Sequence, residues 1–336
     1  MNRLRAYREI EGINQDELGE MLGISAQLVS AVESGRRTFT GDMTVLGYSA
    51  DRLELPSMST PLHRHRASTK AAAKKRAREL LRLAGEVFAE LRDRTPRSPQ
   101  LMLERYPTPE TLQDIEDLSI DVRCSLQHGE TGPIQNLTAA VERAGVCLVP
   151  MAELAGIDGL SAWVDGVPVI GVSPNVPGDR FRFTLSHELG HLLFHVRASE
   201  TAESEANRFA GALLFPQDEF DAAMPERPTL RDFIALKSSW GVAVSALVYR
   251  AHELDYIDDT RYRSLQIQMS PWRRSEPASF DPVHGQLFSR LVKVNGGLQN
   301  VADGLGVNAR HLGELLNWSH LRLAPTRDRA SSFQSE

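Results

Sequence analysis

His187-Glu188-Leu189-Gly190-His191 lies inside the apolar run RFRFTLSHELGHLLFHV, and that combination leaves the chain few ways to fold. Residues four apart share one face of a helix, so a helical reading sets both imidazoles side by side, where they can reach one cation. Glu188 then stands one residue from the first donor, beside the metal's open position, placed to take a proton from bound water. Thr184 or Ser186 is expected to cap this helix, and Leu185, Leu189, Leu192 and Leu193 supply its apolar side. The plain alternative is a surface helix with two solvated histidines. The apolar content argues against it, because burial would leave unpaired imidazoles and a carboxylate at considerable cost.

A zinc site with two histidines needs one more protein donor and keeps a fourth position for water. The next helical segment, ESEANRFAGALLF, brings the acids Glu200, Glu203 and Glu205. Glu203 is preferred, since Asn207 follows four residues later on the same face and can hydrogen-bond a ligand or orient a histidine from behind. His195 lies four residues past His191, but a straight helix presents three successive turns to one ion poorly. It is read as a partly buried histidine at the helix end, with a role toward substrate or an oxyanion left open alongside Tyr249 and Tyr256.

Elsewhere the chain alternates helical spacing with short apolar runs. VCLVPM, SAWVDG and VPVIGVS are bounded by Gly and Pro and read as strands of one small sheet. ALKSSWGVAVSALVYRAHELDYI and the region from Gln286 to about His320 have helical spacing. The loop MSPWRRSEPASFDPVHG separates those two, and the tail TRDRASSFQSE is expected to be disordered.

The first residues carry a second pattern. RLRAYREI is followed by Gly12, then NQDELGEMLG, then ISAQLVSAVESGRR, with a short turn at Gly23 and core-compatible Leu18, Leu22, Ile24, Leu28, Val29 and Val32. VADGLGVNARHLGELL repeats that spacing around Gly306 and is expected to serve core packing or dimerisation rather than base contact. Between Pro61 and Arg82, eight basic residues (Arg64, Arg66, Lys70, Lys74, Lys75, Arg76, Arg78, Arg82) face one acid, Glu79. That stretch is either a solvated linker and helix face or a phosphate-contacting arm.

At these residues the sequence resembles two families. GPIQNLTAAVERAGVCLV, WVDGVPVIGVS, RFRFTLSHELGHLLFH and ESEANRFAGALLFP occur in the order seen in the ImmA/IrrE metallo-endopeptidases. The resemblance implies a zincin-like core, with zinc (Zn2+) on His187, His191 and Glu203, Glu188 as general base, and a repressor-type protein as substrate. Ser173 and Phe215 depart from the family's usual Asn and Met. Residues 3 to 55 resemble an XRE-type helix-turn-helix, with Gln15, Leu18, Gly23, Ser30, Glu33 and Gly35 as marks and Gly19 in place of the usual Ala. The second helix of such a pair enters the major groove. Ser25, Ala26, Gln27 and Ser30 would then face bases, with Gln27 suited to adenine, while Gln15, Arg36 and Arg37 would contact phosphates. Gly19 lowers helix propensity by up to about 1 kcal/mol, which would make the head marginal. A helical protein-interaction module is the alternative, because Arg3 to Thr40 holds five basic and six acidic residues.

The expected fold class is α+β: an all-α helix-turn-helix head (1–58), a basic linker (59–80), a metallopeptidase-like core with a small sheet and helical extension (81–260), and a C-terminal helical region (261–325). The 336 residues suit two or three domains, and 41% hydrophobic against 24% charged residues excludes a mainly disordered chain. No apolar run is long enough for a membrane span, and the charged opening MNRLRAYREIEG reads as no signal peptide. Cys124 and Cys147 form no CxxC pair, which excludes a Cys-rich zinc finger or disulfide framework and points to the cytoplasm. With a net charge of −6, contact with double-stranded DNA must be local. Repressor-type heads bind paired half-sites, so a homodimer is expected.

Overall fold

The computed structural model describes residues 2–60, 71–151, 158–195, 199–272 and 276–319. Arg64, Arg66 and Lys70 of the basic stretch, and the tail TRDRASSFQSE, lie outside these residues. The architecture is α+β, with helices around a single three-stranded sheet among the described residues.

Helices α1 (Arg3–Glu11), α2 (Gln15–Leu22) and α3 (Ala26–Glu33) form the head. Local chemistry sets their limits. The Asn2 side chain accepts from Arg5 N, Asn14 and Glu17 form a capping box, and Ser25 accepts from Leu28 N. Gly19 is more than a weak helix former. A Cβ there would stand 2.7 Å from the carbonyl oxygen of Ile24, so the α2–α3 turn closes onto a position that tolerates only hydrogen.

Helix α4 (Ala71–Arg94) runs on from the basic stretch and buries Leu81, Ala84, Val87, Phe88 and Leu91 between the head and the sheet. Its N-terminal arginines are held within the fold: Arg76 bonds Glu314 at 2.6 Å, and Arg78 and Arg82 flank the buried Glu79 at 3.6 and 3.4 Å. Of the two readings of this stretch, the phosphate-contacting arm therefore cannot draw freely on these three cations.

After α5 (Leu112–Ser125) and α6 (Leu137–Arg143) come β1 (Cys147–Pro150), β2 (Gly159–Val164) and β3 (Val167–Val172), in spatial order β1-β3-β2. β1 pairs β3 in parallel, and β2 pairs β3 antiparallel through the Asp165-Gly166 turn. One face carries Cys147, Val149, Leu160, Ala162 and Val169 toward α4; the other carries Leu148, Ile170 and Val172 toward the helices that follow. Cover on both faces explains why these strands read as continuous apolar runs rather than alternating ones. The far end of β2 is lengthened by the segment after the head: Ser59 N donates to Trp163 O at 2.9 Å and Asp165 N to Ser57 O at 3.0 Å.

Helices α7 (Gly178–Phe194), α8 (Ala202–Leu214), α9 (Gln217–Ala223), α10 (Leu230–Trp240), α11 (Val244–Glu253) and α12 (Asp259–Met269) complete the second layer. Neither Thr184 nor Ser186 caps α7, contrary to expectation. The helix starts at Gly178 behind Pro177, and Ser186 Oγ instead donates to the Arg182 carbonyl at 3.0 Å. Glu116 of α5 bridges Arg208 of α8 at 2.9 Å and Arg250 of α11 at 2.9 Å, all three buried. Phe215 stacks on Trp240 with centroids 3.8 Å apart, which accounts for an aromatic at that position.

The last helices, α13 (Leu287–Val294), α14 (Leu298–Leu305) and α15 (Ala309–Leu316), return to the head. Val301, Leu305, Leu312 and Leu315 share one core with Leu4, Tyr7 and Leu46. Buried His311 accepts or donates at both nitrogens, to Tyr48 OH at 2.9 Å and Glu11 Oε1 at 2.6 Å. Core packing is thus the observed role of this second helix pair.

Candidate metal centre

The 17-residue α7 packs along α8 with His187, Glu188 and His191 turned inward, and the first turn of α8 carries Glu203 toward them. The two Nε2 atoms of His187 and His191 are 3.0 Å apart, and Glu203 oxygens lie 3.7 Å from the first and 3.4 Å from the second. Four-coordinate zinc with bonds of 2.0–2.1 Å spaces its ligand atoms by about 3.3 Å, so the three donors stand near the corners of such a site. Both imidazoles are buried, whereas the Glu203 side chain is 44% exposed, so the centre opens toward solvent on the α8 side. Of the three acids considered, Glu203 is the one that joins the histidines; Glu205 turns to His195, and Glu200 is not among the grouped donors.

Behind the donors, His187 Nδ1 faces Asn207 Oδ1 at 3.0 Å, and His191 Nδ1 faces His195 Nδ1 at 2.8 Å. Asn207 therefore stands where its spacing placed it. His195 does not enter the donor group. Both of its ring nitrogens are engaged, the second with Glu205 at 2.8 Å, which removes it as an oxyanion donor. Burial pushes its imidazole below the ordinary histidine range, favouring the neutral ring. Of the other two oxyanion candidates, Tyr256 donates to Asp221, and the ring of Tyr249 lies edge-on to Tyr262.

Glu188 is fully buried beside the three donors. Ser161 Oγ of β2 donates to its Oε2 at 2.7 Å, while Oε1 has no hydrogen-bond partner among the described residues. Burial drives this carboxyl up to about 7, against the pull of neighbouring His191. The strand lies this close because residue 159 is glycine. A Cβ there would sit 2.7 Å from Glu188 Cγ and 2.9 Å from Oε1. Arg180 of α7 clamps Asp158, at the start of the strand, with two bonds of 2.6 and 2.7 Å. Ser161 and Gly159 carry no signal in the sequence, because their relation to Glu188 exists only once β2 lies against α7.

These residues fit a zinc ion. Two neutral imidazoles and one carboxylate form the borderline N/O set that zinc accepts, and an orphaned buried carboxylate oxygen beside them calls for a polar partner.

In the head, Ser25 and Gln27 are exposed on the first turn of α3, Ser30 is half-buried one turn on, and Arg36 and Arg37 are exposed just beyond the helix. Gln15 is partly committed, since its Nε2 donates to Glu33 at 2.9 Å. Arg8 grips the same carboxylate at 2.7 and 2.9 Å, fixing α1 to α3.

Two family models match the chain. Residues 142–252 match the IrrE N-terminal-like domain of peptidase family M78, and residues 4–43 match a helix-turn-helix domain. No curated protein matches the chain. The first match contains His187, Glu188, His191, Glu203 and Asn207; the second runs from the second residue of α1 through α3. Among the described residues, no helix is long and apolar enough to cross a membrane.

Proposed function

From a metallopeptidase-type domain joined to a helix-turn-helix head, we propose a DNA-binding regulator whose second domain is a zinc-dependent endopeptidase that cleaves a partner repressor and so releases its genes. The observation that carries this reading is the convergence of His187, His191 and Glu203 next to a buried carboxylate with one unpartnered oxygen. When bound, zinc supplies Lewis acidity toward the scissile carbonyl and lowers the pKa of water. Glu188 Oε1 takes the proton of the attacking water and delivers it to the leaving amine. Ser161 holds Oε2, which keeps the free oxygen aimed at the centre.

The edge of β2 suits an extended peptide. Trp163 turns its backbone outward to Ser59, so by strand alternation Ser161 and Gly159 also point their N–H and C=O groups outward. Among the described residues no hydrogen bond is made to those outward groups, and a substrate strand can add there beside Glu188. In the head, the N-terminal turn of α3 enters the major groove, with Ser25, Gln27 and Ser30 toward bases and Arg36 and Arg37 toward phosphates. A homodimer would match paired half-sites.

The test is incubation of purified, zinc-loaded protein with the repressor-type regulator encoded beside it, read by mass spectrometry of the products. Wild type is expected to cut at a defined bond and Glu188→Gln to leave the partner intact. Identical behaviour of the two would end the catalytic reading. One observation favours an alternative, a regulator that uses the peptidase fold only as sensor or scaffold: the head shares its apolar core with α4, one sheet face and α13–α15. Normal promoter binding and regulation by both His187→Ala and Glu188→Gln would support that alternative.

A further inference from the structure

His195 and Glu205 take no part in the hydrolysis proposed above, yet the fold keeps both largely from solvent, at 2% and 15% side-chain exposure. His195 ends α7. Its backbone leaves the helix at φ −104° and ψ 106°, and its ring lies against that of His191, with centroids 4.9 Å apart. One line of contacts follows: Glu205 Oε2 to His195 Nε2 at 2.8 Å, His195 Nδ1 to His191 Nδ1 at 2.8 Å, and His191 Nε2 facing His187 and Glu203.

The chemistry of these groups fixes the hydrogens along that line. An ionised carboxylate only accepts, so Nε2 of His195 carries the hydrogen. A ring that offers the lone pair of Nε2 to a cation keeps its hydrogen on Nδ1, so at 2.8 Å His195 Nδ1 is the acceptor that suits His191 as a ligand. The hydrogen of His191 therefore sits on Nδ1, which leaves a lone pair on Nε2, toward the other two donors. Asn207 Oδ1 performs the same service for His187.

We propose that His195 and Glu205 are positioning residues that fix the tautomer and ring angle of His191, so that its Nε2 is presented to a divalent cation. The proposal rests on the metal reading and adds that α8 serves both histidines from behind, one directly through Asn207 and one through an intervening imidazole. A histidine after the second ligand thereby gains a role without becoming a ligand itself.

Two measurements test it. In metal-free protein labelled with ¹⁵N histidine, long-range ¹H–¹⁵N spectra report which nitrogen holds the hydrogen. His191 is expected as the Nδ1–H form in wild type and as a mixture in His195→Ala. In competition with a chromophoric chelator, His195→Ala and Glu205→Ala are expected to bind Zn2+ about 10–100-fold more weakly than wild type. Glu205→Gln keeps an oxygen acceptor and is expected to stay within a few-fold of wild type. A merely structural role would lower the melting temperature of the metal-free variants without moving the tautomer. An Nε2–H His191 in wild type, or wild-type zinc affinity in both alanine variants, overturns the proposal. Failure of wild type itself to bind zinc instead overturns the metal reading, and the wild-type spectrum, which needs no variant to fold, still decides the tautomer.

Discussion

Removing the metal should loosen the whole peptidase-type layer, by an amount that mass action sets. His187 and His191 are buried with their Nε2 atoms 3.0 Å apart, and Glu203 closes the group from a half-exposed position. Such a preformed cluster binds a cation in the folded state alone, so free zinc at a hundred times its dissociation constant stabilises folding by about 2.7 kcal/mol. For a domain of about 150–250 residues this raises the melting temperature on the order of 5–11 °C. Differential scanning calorimetry of the full chain, in zinc and in excess chelator, measures the difference. Glu203→Ala is the decisive control. Its side chain is 44% exposed, so the metal-free variant is expected to fold, which its melting curve in chelator checks, while the substitution takes away one of three donors. The expected result is a zinc-dependent rise in wild type and little or none in Glu203→Ala or His191→Ala. An equal rise in all three proteins would place the cation elsewhere, and no rise in wild type would refute the cluster as a metal site.

Glu188→Gln preserves shape and the Ser161 hydrogen bond, so zinc content by mass spectrometry should match wild type while peptide cleavage falls about 10²–10⁴-fold; unchanged turnover would exclude Glu188 as the base. In chelator-treated protein, the Glu188 carboxyl sits at about 7 when folded against 4.5 unfolded, so its contribution, on the order of 3 kcal/mol relative to Glu188→Gln, is full below pH 4.5 and lost as pH rises through 7. Urea titrations of both proteins from pH 4.5 to 8 follow that difference, and a flat difference would contradict the burial argument. Glu116→Ala strands Arg208 and Arg250 without their shared partner and is expected to cost about 3–5 kcal/mol by denaturant unfolding; a loss below about 1 kcal/mol would mean the pair relaxes into solvent. Gly19→Ala should fail to deliver the gain of about 1 kcal/mol that helix propensity promises, because the new Cβ meets the Ile24 carbonyl at 2.7 Å; a raised melting temperature would show that the turn yields.

Much of this protein was written along the chain itself. Residue spacing becomes direction inside a helix, so His187 and His191 had to share a face, and the apolar spacing on either side of Gly23 had to give a helix pair. VCLVPM, SAWVDG and VPVIGVS could be assigned as strands for the same local reason. What lies between elements was beyond that arithmetic. The spacing of Asn207 favoured Glu203, but whether that carboxylate would meet the imidazoles depended on how α8 crosses α7. The same crossing sends Glu205 to His195, so both ring nitrogens of that histidine are engaged. Ser161 and Gly159 gained their relation to Glu188 only when β2 lay against α7, and Glu116 found two arginines from helices far along the chain. The second helix pair around Gly306 was expected to serve core packing or dimerisation, and only the packed layers showed that the core it joins is that of the head. Periodicity fixes which way a side chain points within its own element. Which partner it meets depends on how loops close and faces bury, and that is settled only when the layers pack.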